Sequence, residues 1–124
     1  MENIKKISGG VHSNRIHDSA TKHVTGQAKY TDDITEPVGT LHAYLGVSEV
    51  AHANIKSIDL SEVEELPGVI GTITASDIPG VNDISPTGQN DEPVFPIDKV
   101  QFHGQPLFAV IAKTRNIARH AAKL

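Results

Sequence analysis

The stretch QPLFAVIAKTRNIARHAAKL, Gln105–Leu124, decides the fold because its hydrophobic period changes part-way through. Leu107, Phe108, Val110 and Ile111 form a near-continuous apolar run, the pattern of a buried strand. Thr114 then offers a hydroxyl at a helix start, and Ile117, Ala118, Ala121, Ala122 and Leu124 recur at helical spacing with Arg115, Arg119 and Lys123 on other faces. A strand running directly into a helix is expected, the helix lying on the sheet through its small residues. No Gly, Asn or Pro stops this helix, so it is expected to be truncated, and the chain to be a fragment of a longer polypeptide.

Working outward, KVQF reads as a short strand and His103-Gly104 as the turn that redirects the chain into the buried strand. Leu41, Ala43, Leu45 and Val47 alternate, which predicts a strand with these four on its core face and His42 on the opposite one. NIKSIDL predicts a shorter strand through Ile55, Ile58 and Leu60. Ser61 and Glu64 have the spacing of a capping box, with Pro67-Gly68 ending the helix after about one turn. Gly68–Ala75, GVIGTITA, is a β-branched strand. Asn82–Pro93 shows no period and is expected to be a functional or mobile loop. The first two dozen residues show neither period and predict a loose or extended arm, flexible over residues 1–14, ahead of one domain at 15–124.

Composition narrows the function. With 124 residues the chain suffices for one domain with its own core. The absence of Cys excludes disulfides, thiolate zinc, cysteine-ligated iron–sulfur clusters and a cysteine nucleophile in this chain, and fits a cytoplasmic location. No apolar run approaches the roughly 20 residues of a membrane span. Residues 31–98 carry 13 acidic side chains against one basic, which argues against a nucleic-acid surface.

No group of side chains has the spacing of a catalytic or metal site. His12, His17 and His23 lie close in sequence, but nothing regular would aim them at one ion. The pairs Asp32-Asp33 and Asp91-Glu92 are adjacent residues, which point apart in a strand and bond local amides in a turn. SGGVHS lacks the strand and helix that phosphate binding requires. Catalytic, cofactor-binding and metal residues are therefore expected to be none. Two rival readings stay open: a free-standing binding module whose acidic loop 82–93 takes a basic partner, and a small hydrolase in which Asp91, Glu92 and His103 converge.

TGQAKYTDDI, LPGVIGTITASDIPG and HGQPLFAVIA occur in that order from about Arg15 onward. In that order they resemble the N-terminal α/β-hammerhead domain of the molybdenum-binding large subunit of the xanthine dehydrogenase and aldehyde oxidase family. RIHDSATKHVTG and DIPGVNDI lean towards the bacterial xanthine dehydrogenases within it. The resemblance implies an α+β hammerhead with a mixed or antiparallel sheet and two or three short helices, acting as a packing and assembly module. It implies a whole enzyme that converts xanthine, water and NAD to urate and NADH using molybdopterin, [2Fe-2S] clusters and FAD. It places those groups in downstream molybdopterin-binding domains and in FAD and iron–sulfur partners, and implies that these residues are not themselves catalytic.

Overall fold

The structure, a computed structural model, describes Gly10 and residues 15–124, which fall into two units, one ending at Glu36 and the other Pro37–Leu124. The arm expected at 1–14 lies outside the described residues except for Gly10, which is exposed. The next part of the expected loose segment contains a short helix, α1 (Ala20–Val24). It is closed by Thr25, whose N–H and hydroxyl both donate to the Thr21 carbonyl, at 3.0 and 2.7 Å. Five residues are under two turns, too few to leave a readable period. A 3-10 turn at Thr31–Asp33 follows, fastened by the Tyr30 N–H donating to Asp33 Oδ2 at 2.9 Å.

The second unit is ordered around its central strand. A three-stranded antiparallel sheet runs β1 (His42–Val47), β5 (Pro106–Ala112), β3 (Val69–Ile73), with β5 in the middle. A second antiparallel pair joins β2 (Ala53–Asn54) to β4 (Lys99–Val100). Helices α2 (Ser61–Glu64) and α3 (Arg115–Ala121) cover one face of the larger sheet, where Val110, Val63 and Ala121 form the core with Val69 and Phe108 packed against them. Thr114 caps α3 as expected, its hydroxyl accepting from the Ile117 N–H at 3.2 Å, and Ala118 and Ala121 are buried. Leu124 is exposed. Among the described residues the architecture is α+β with antiparallel sheets and three short α-helices.

Three expectations are corrected. The alternating set Leu41, Ala43, Leu45 and Val47 lies on the face without helices, and Leu41, Leu45 and Val47 are 48, 46 and 47% exposed. The helices cover the other face because Tyr44 pairs with Val110 and Gly46 with Phe108, which aligns these residues with the core. The strand in NIKSIDL shrinks to Ala53–Asn54, since β4 supplies only a two-residue partner. The capping box at Ser61 and Glu64 does not form: the Ser61 hydroxyl donates to Asp59 at 2.7 Å, and Glu64 accepts the Thr72 hydroxyl of β3 at 2.5 Å. The short helix is thereby tied to its neighbours rather than capped by its own side chains.

Gly46 permits the core to close. A Cβ placed there would overlap the Phe108 ring, so Gly46→Ala must displace the ring that packs against the core. The expected cost is about 1–3 kcal/mol, read as a lowered midpoint in chemical denaturation. Gly104 lies in the loop between β4 and β5 at φ +84°, as the sequence predicts for a turn, and Gly104→Ala should cost about 1 kcal/mol. Unchanged midpoints in both variants would contradict this account of the packing.

Candidate functional site

The larger sheet passes into the smaller one at a corner. Beyond Val47 the β1/β5 ladder continues for one step, the Ser48 N–H donating to the Gln105 carbonyl at 2.9 Å and the Gly104 N–H to the Ser48 carbonyl at 2.8 Å. Pairing resumes at β2/β4, where the Ile55 N–H also donates to the Asp98 carbonyl at 2.8 Å. Between them the chain bends. Gln105, 3% exposed, turns its side-chain oxygen onto the Gln101 N–H at 2.7 Å and so supplies an acceptor that the broken ladder lacks. Ser48, also buried, donates its hydroxyl to the Val50 carbonyl at 2.9 Å and accepts the Val50 N–H at 3.1 Å. No buried side-chain nitrogen or oxygen among the described residues is left without a partner.

The acidic loop folds back on this corner and is held by its own polar side chains. The Asn82 amide spans 13 residues to Phe95, donating to its carbonyl at 2.7 Å and accepting its N–H at 3.1 Å, as a ladder residue would. Asp83 accepts the Ser85 hydroxyl at 2.5 Å and the Glu92 N–H at 3.2 Å, while the Ile84 N–H donates to the Glu92 carbonyl at 2.8 Å. Ser85 in turn accepts the Asn90 N–H at 3.1 Å, and Asn90 takes φ 57°. The hydrogen bond from Ser85, with that from the Glu92 N–H, holds the Asp83 carboxyl below its ordinary value against a smaller rise from desolvation.

Between loop and corner lies a cavity of about 300 Å³ whose lining includes Ile84, Pro93, Val94 and Phe102, with Asp91 and Glu92 beside them. It can take an apolar group, with two carboxylates to accept hydrogen bonds or charge. His103 is exposed and does not line it, so the three residues of the hydrolase reading do not meet there. His12 lies outside the described residues. Nδ1 of His17 accepts the Ser19 N–H at 3.1 Å, and Nδ1 of His23 is 2.7 Å from the Tyr30 hydroxyl. Asp33 serves the Tyr30 N–H, Asp32 and His52 are exposed, and His42 is partly buried in β1. Among the described residues no three His, Asp or Glu side chains could hold a metal ion, and the chain has no Cys, so these residues do not fit a molybdenum or iron–sulfur centre as a ligand set. None of the described helices is long and apolar enough to cross a membrane. Sequence reasoning missed Asn82, Ser48 and Gln105. The one available signal for Gln105 was a polar side chain set between the turn glycine and an apolar strand.

Residues 25–124 match the family described as aldehyde oxidase and xanthine dehydrogenase, a/b hammerhead domain. The chain belongs to that family. It is 44% identical over 108 residues to the xanthine dehydrogenase of Dictyostelium discoideum and 45% identical over 108 residues to aldehyde oxidase 2 of Rattus norvegicus, covering 87% of this chain in each case. It spans only 8% of the length of either relative. The crystal structure of the aldehyde oxidoreductase from Desulfovibrio desulfuricans superposes on 85% of this chain and 13% of its own, with a TM-score of 0.76 at 37% identity. The hammerhead fold is thus shared by relatives named for different substrates.

The pH behaviour of the loop follows from Asp83. A carboxyl whose folded pKa is depressed stabilises the fold above its unfolded value, and that contribution is lost as pH falls through the folded one. In an NMR titration the Glu92 amide should report a midpoint below about 3.9, the ordinary aspartate value. Asp83→Asn should abolish that transition. A midpoint at or above the ordinary value would contradict the hydrogen-bond assignment.

Proposed function

We propose that the chain is the packing and assembly domain of a molybdenum-dependent purine hydroxylase, a xanthine dehydrogenase, with residues 15–124 forming that domain. The observation that carries this reading is the family match across residues 25–124 in a chain covering only 8% of the length of its enzyme relatives. In the whole enzyme, molybdopterin, [2Fe-2S] clusters and FAD would be held by other domains or subunits, and the reaction would be xanthine, water and NAD to urate and NADH in the cytoplasm. The preference for xanthine over an aldehyde rests on RIHDSATKHVTG and DIPGVNDI. What these residues contribute is shape: a two-sheet framework with a satisfied polar corner. This reading is favoured over a free-standing module that binds through loop 82–93, because Asn82, Asp83 and Ser85 are engaged within the loop's own structure.

The test is to isolate from its native cells the protein that carries this sequence and measure bound metal and turnover. Molybdenum should co-purify, with urate formed from xanthine as NAD is reduced. A protein without molybdenum that oxidises neither xanthine nor an aldehyde would overturn the proposal. Aldehyde oxidation without urate would remove the purine assignment alone. The 124 residues by themselves should retain no pterin or flavin through gel filtration and form no urate, and stoichiometric cofactor on them would contradict the assembly role.

A further inference from the structure

The face of the larger sheet opposite the helices is built unlike a solvated one. An antiparallel sheet with one wet side ordinarily alternates apolar residues inward with polar residues outward. Here the helix-free side is the more uniformly apolar one, since the helix side carries His42, Tyr44 and Thr72 in register with Ala112 and Val110. The pairings place Leu45, Ala109 and Ile73 in one cross-strand row, and Ala43, Ile111 and Gly71 in the next. A bulge between Val69 and Gly71 produces this alignment: Val69 joins the helix-side core, and Gly71 and Ile73 fall on the other face. Val47, by strand alternation, shares the face of Leu45. None of these seven positions carries a charge or a side-chain hydrogen-bonding group, in a chain that places 13 acidic residues between 31 and 98. Leu45 and Val47 are the exposed members of this apolar face, beside half-buried Ile73 and Ile111 with Ala109 buried between the strands, and exposed apolar side chains grouped on one face mark an interaction site. Close by, where β3 ends, an open groove of about 480 Å³ includes Ile55, Ile58, Thr74, Ile97 and Leu107 in its lining.

We propose that this helix-free face, carrying Leu45, Val47, Ile73, Ala109 and Ile111, is the surface on which the remaining polypeptide of the molybdenum hydroxylase packs, through an uncharged apolar element. The inference rests on the reading of the chain as one domain of such an enzyme. The occupant follows from proportion: the match takes up 8% of the two relatives above and 13% of the aldehyde oxidoreductase structure, so most of each polypeptide lies outside it and must meet it somewhere. A wholly apolar face is where that meeting removes the most hydrocarbon from water without desolvating a charge.

The experiment uses the intact enzyme from its native cells, with the photoreactive residue p-benzoylphenylalanine at Leu45 and, separately, at Val47. The exposed Arg119 of α3 serves as the control position. Irradiation followed by peptide mass spectrometry should give crosslinks from both sheet positions to hydroxylase peptides outside these 124 residues, at least tenfold more abundant than from position 119. Crosslinks joining two copies of the sheet face, or yields at 45 and 47 no higher than the control, would overturn the docking assignment. Failure of the underlying reading looks different: the sequence would then purify with no molybdenum-containing oxidoreductase at all. Circular dichroism of each labelled protein establishes that the fold is retained, and a fold lost at one position leaves the other to decide.

Discussion

The hydrogen bond from the Gln101 N–H to the buried side-chain oxygen of Gln105 is the constraint on which the two-sheet arrangement depends. A β ladder cannot bend sharply without breaking some of its backbone pairings, and the groups released must find other partners. At this corner the lost partner is replaced by the residue that immediately precedes β5. Gly104 supplies the backbone conformation, Ser48 closes the last ladder step, and Gln105 supplies the missing acceptor. With the corner closed, β4 can pair with β2 while β5 enters the centre of the larger sheet.

That centre organises everything on the helix side. Val110 is fully buried, Phe108 lies in the space that Gly46 leaves, and α3 packs through Ala118 and Ala121, whose small side chains let it sit close to the sheet. The acidic loop is a second framework of the same kind. Asn82 imitates a backbone pairing to Phe95, and Asp83 holds Ser85 and Glu92, so a segment with no hydrophobic period acquires a defined path. Polar side chains thus substitute for ladder bonds at the corner and in the acidic loop alike.

The sequence was informative where one residue type suffices to specify a conformation. Gly104 at its turn, the strand β5 and the Thr114 cap were all legible, because each depends on local chemistry, whereas of the expected buried set Leu107, Phe108, Val110 and Ile111 only Val110 is buried. The sidedness of β1 was not. Alternation identifies two faces but not which one the helices will cover, and with apolar residues at Leu41, Leu45 and Val47 the more hydrophobic face was the natural choice for the core. A face that is apolar and left uncovered by its own helices misleads any reasoning confined to a single domain. Gln105 and Asn82 were illegible for a related reason: their bonds run to groups whose positions exist only after the corner and loop have folded. Asp91 and Glu92 were correctly placed in a loop, but the cavity beside them is formed jointly with Phe102 and Pro106 and has no signature in the loop itself.

The most direct test of the corner is amide hydrogen exchange at Gln101. An amide outside regular strands, exposed and unbonded, exchanges at close to the intrinsic rate, whereas one held by a buried acceptor exchanges only when that contact opens. The account predicts that the Gln101 amide is protected to a degree comparable with Val110 in the central strand, and that Gln105→Leu removes protection at Gln101 and at Ser48 together. Rapid exchange of Gln101 in the unaltered protein, with Val110 still protected, would contradict the claim that the Gln105 side chain holds the two sheets together.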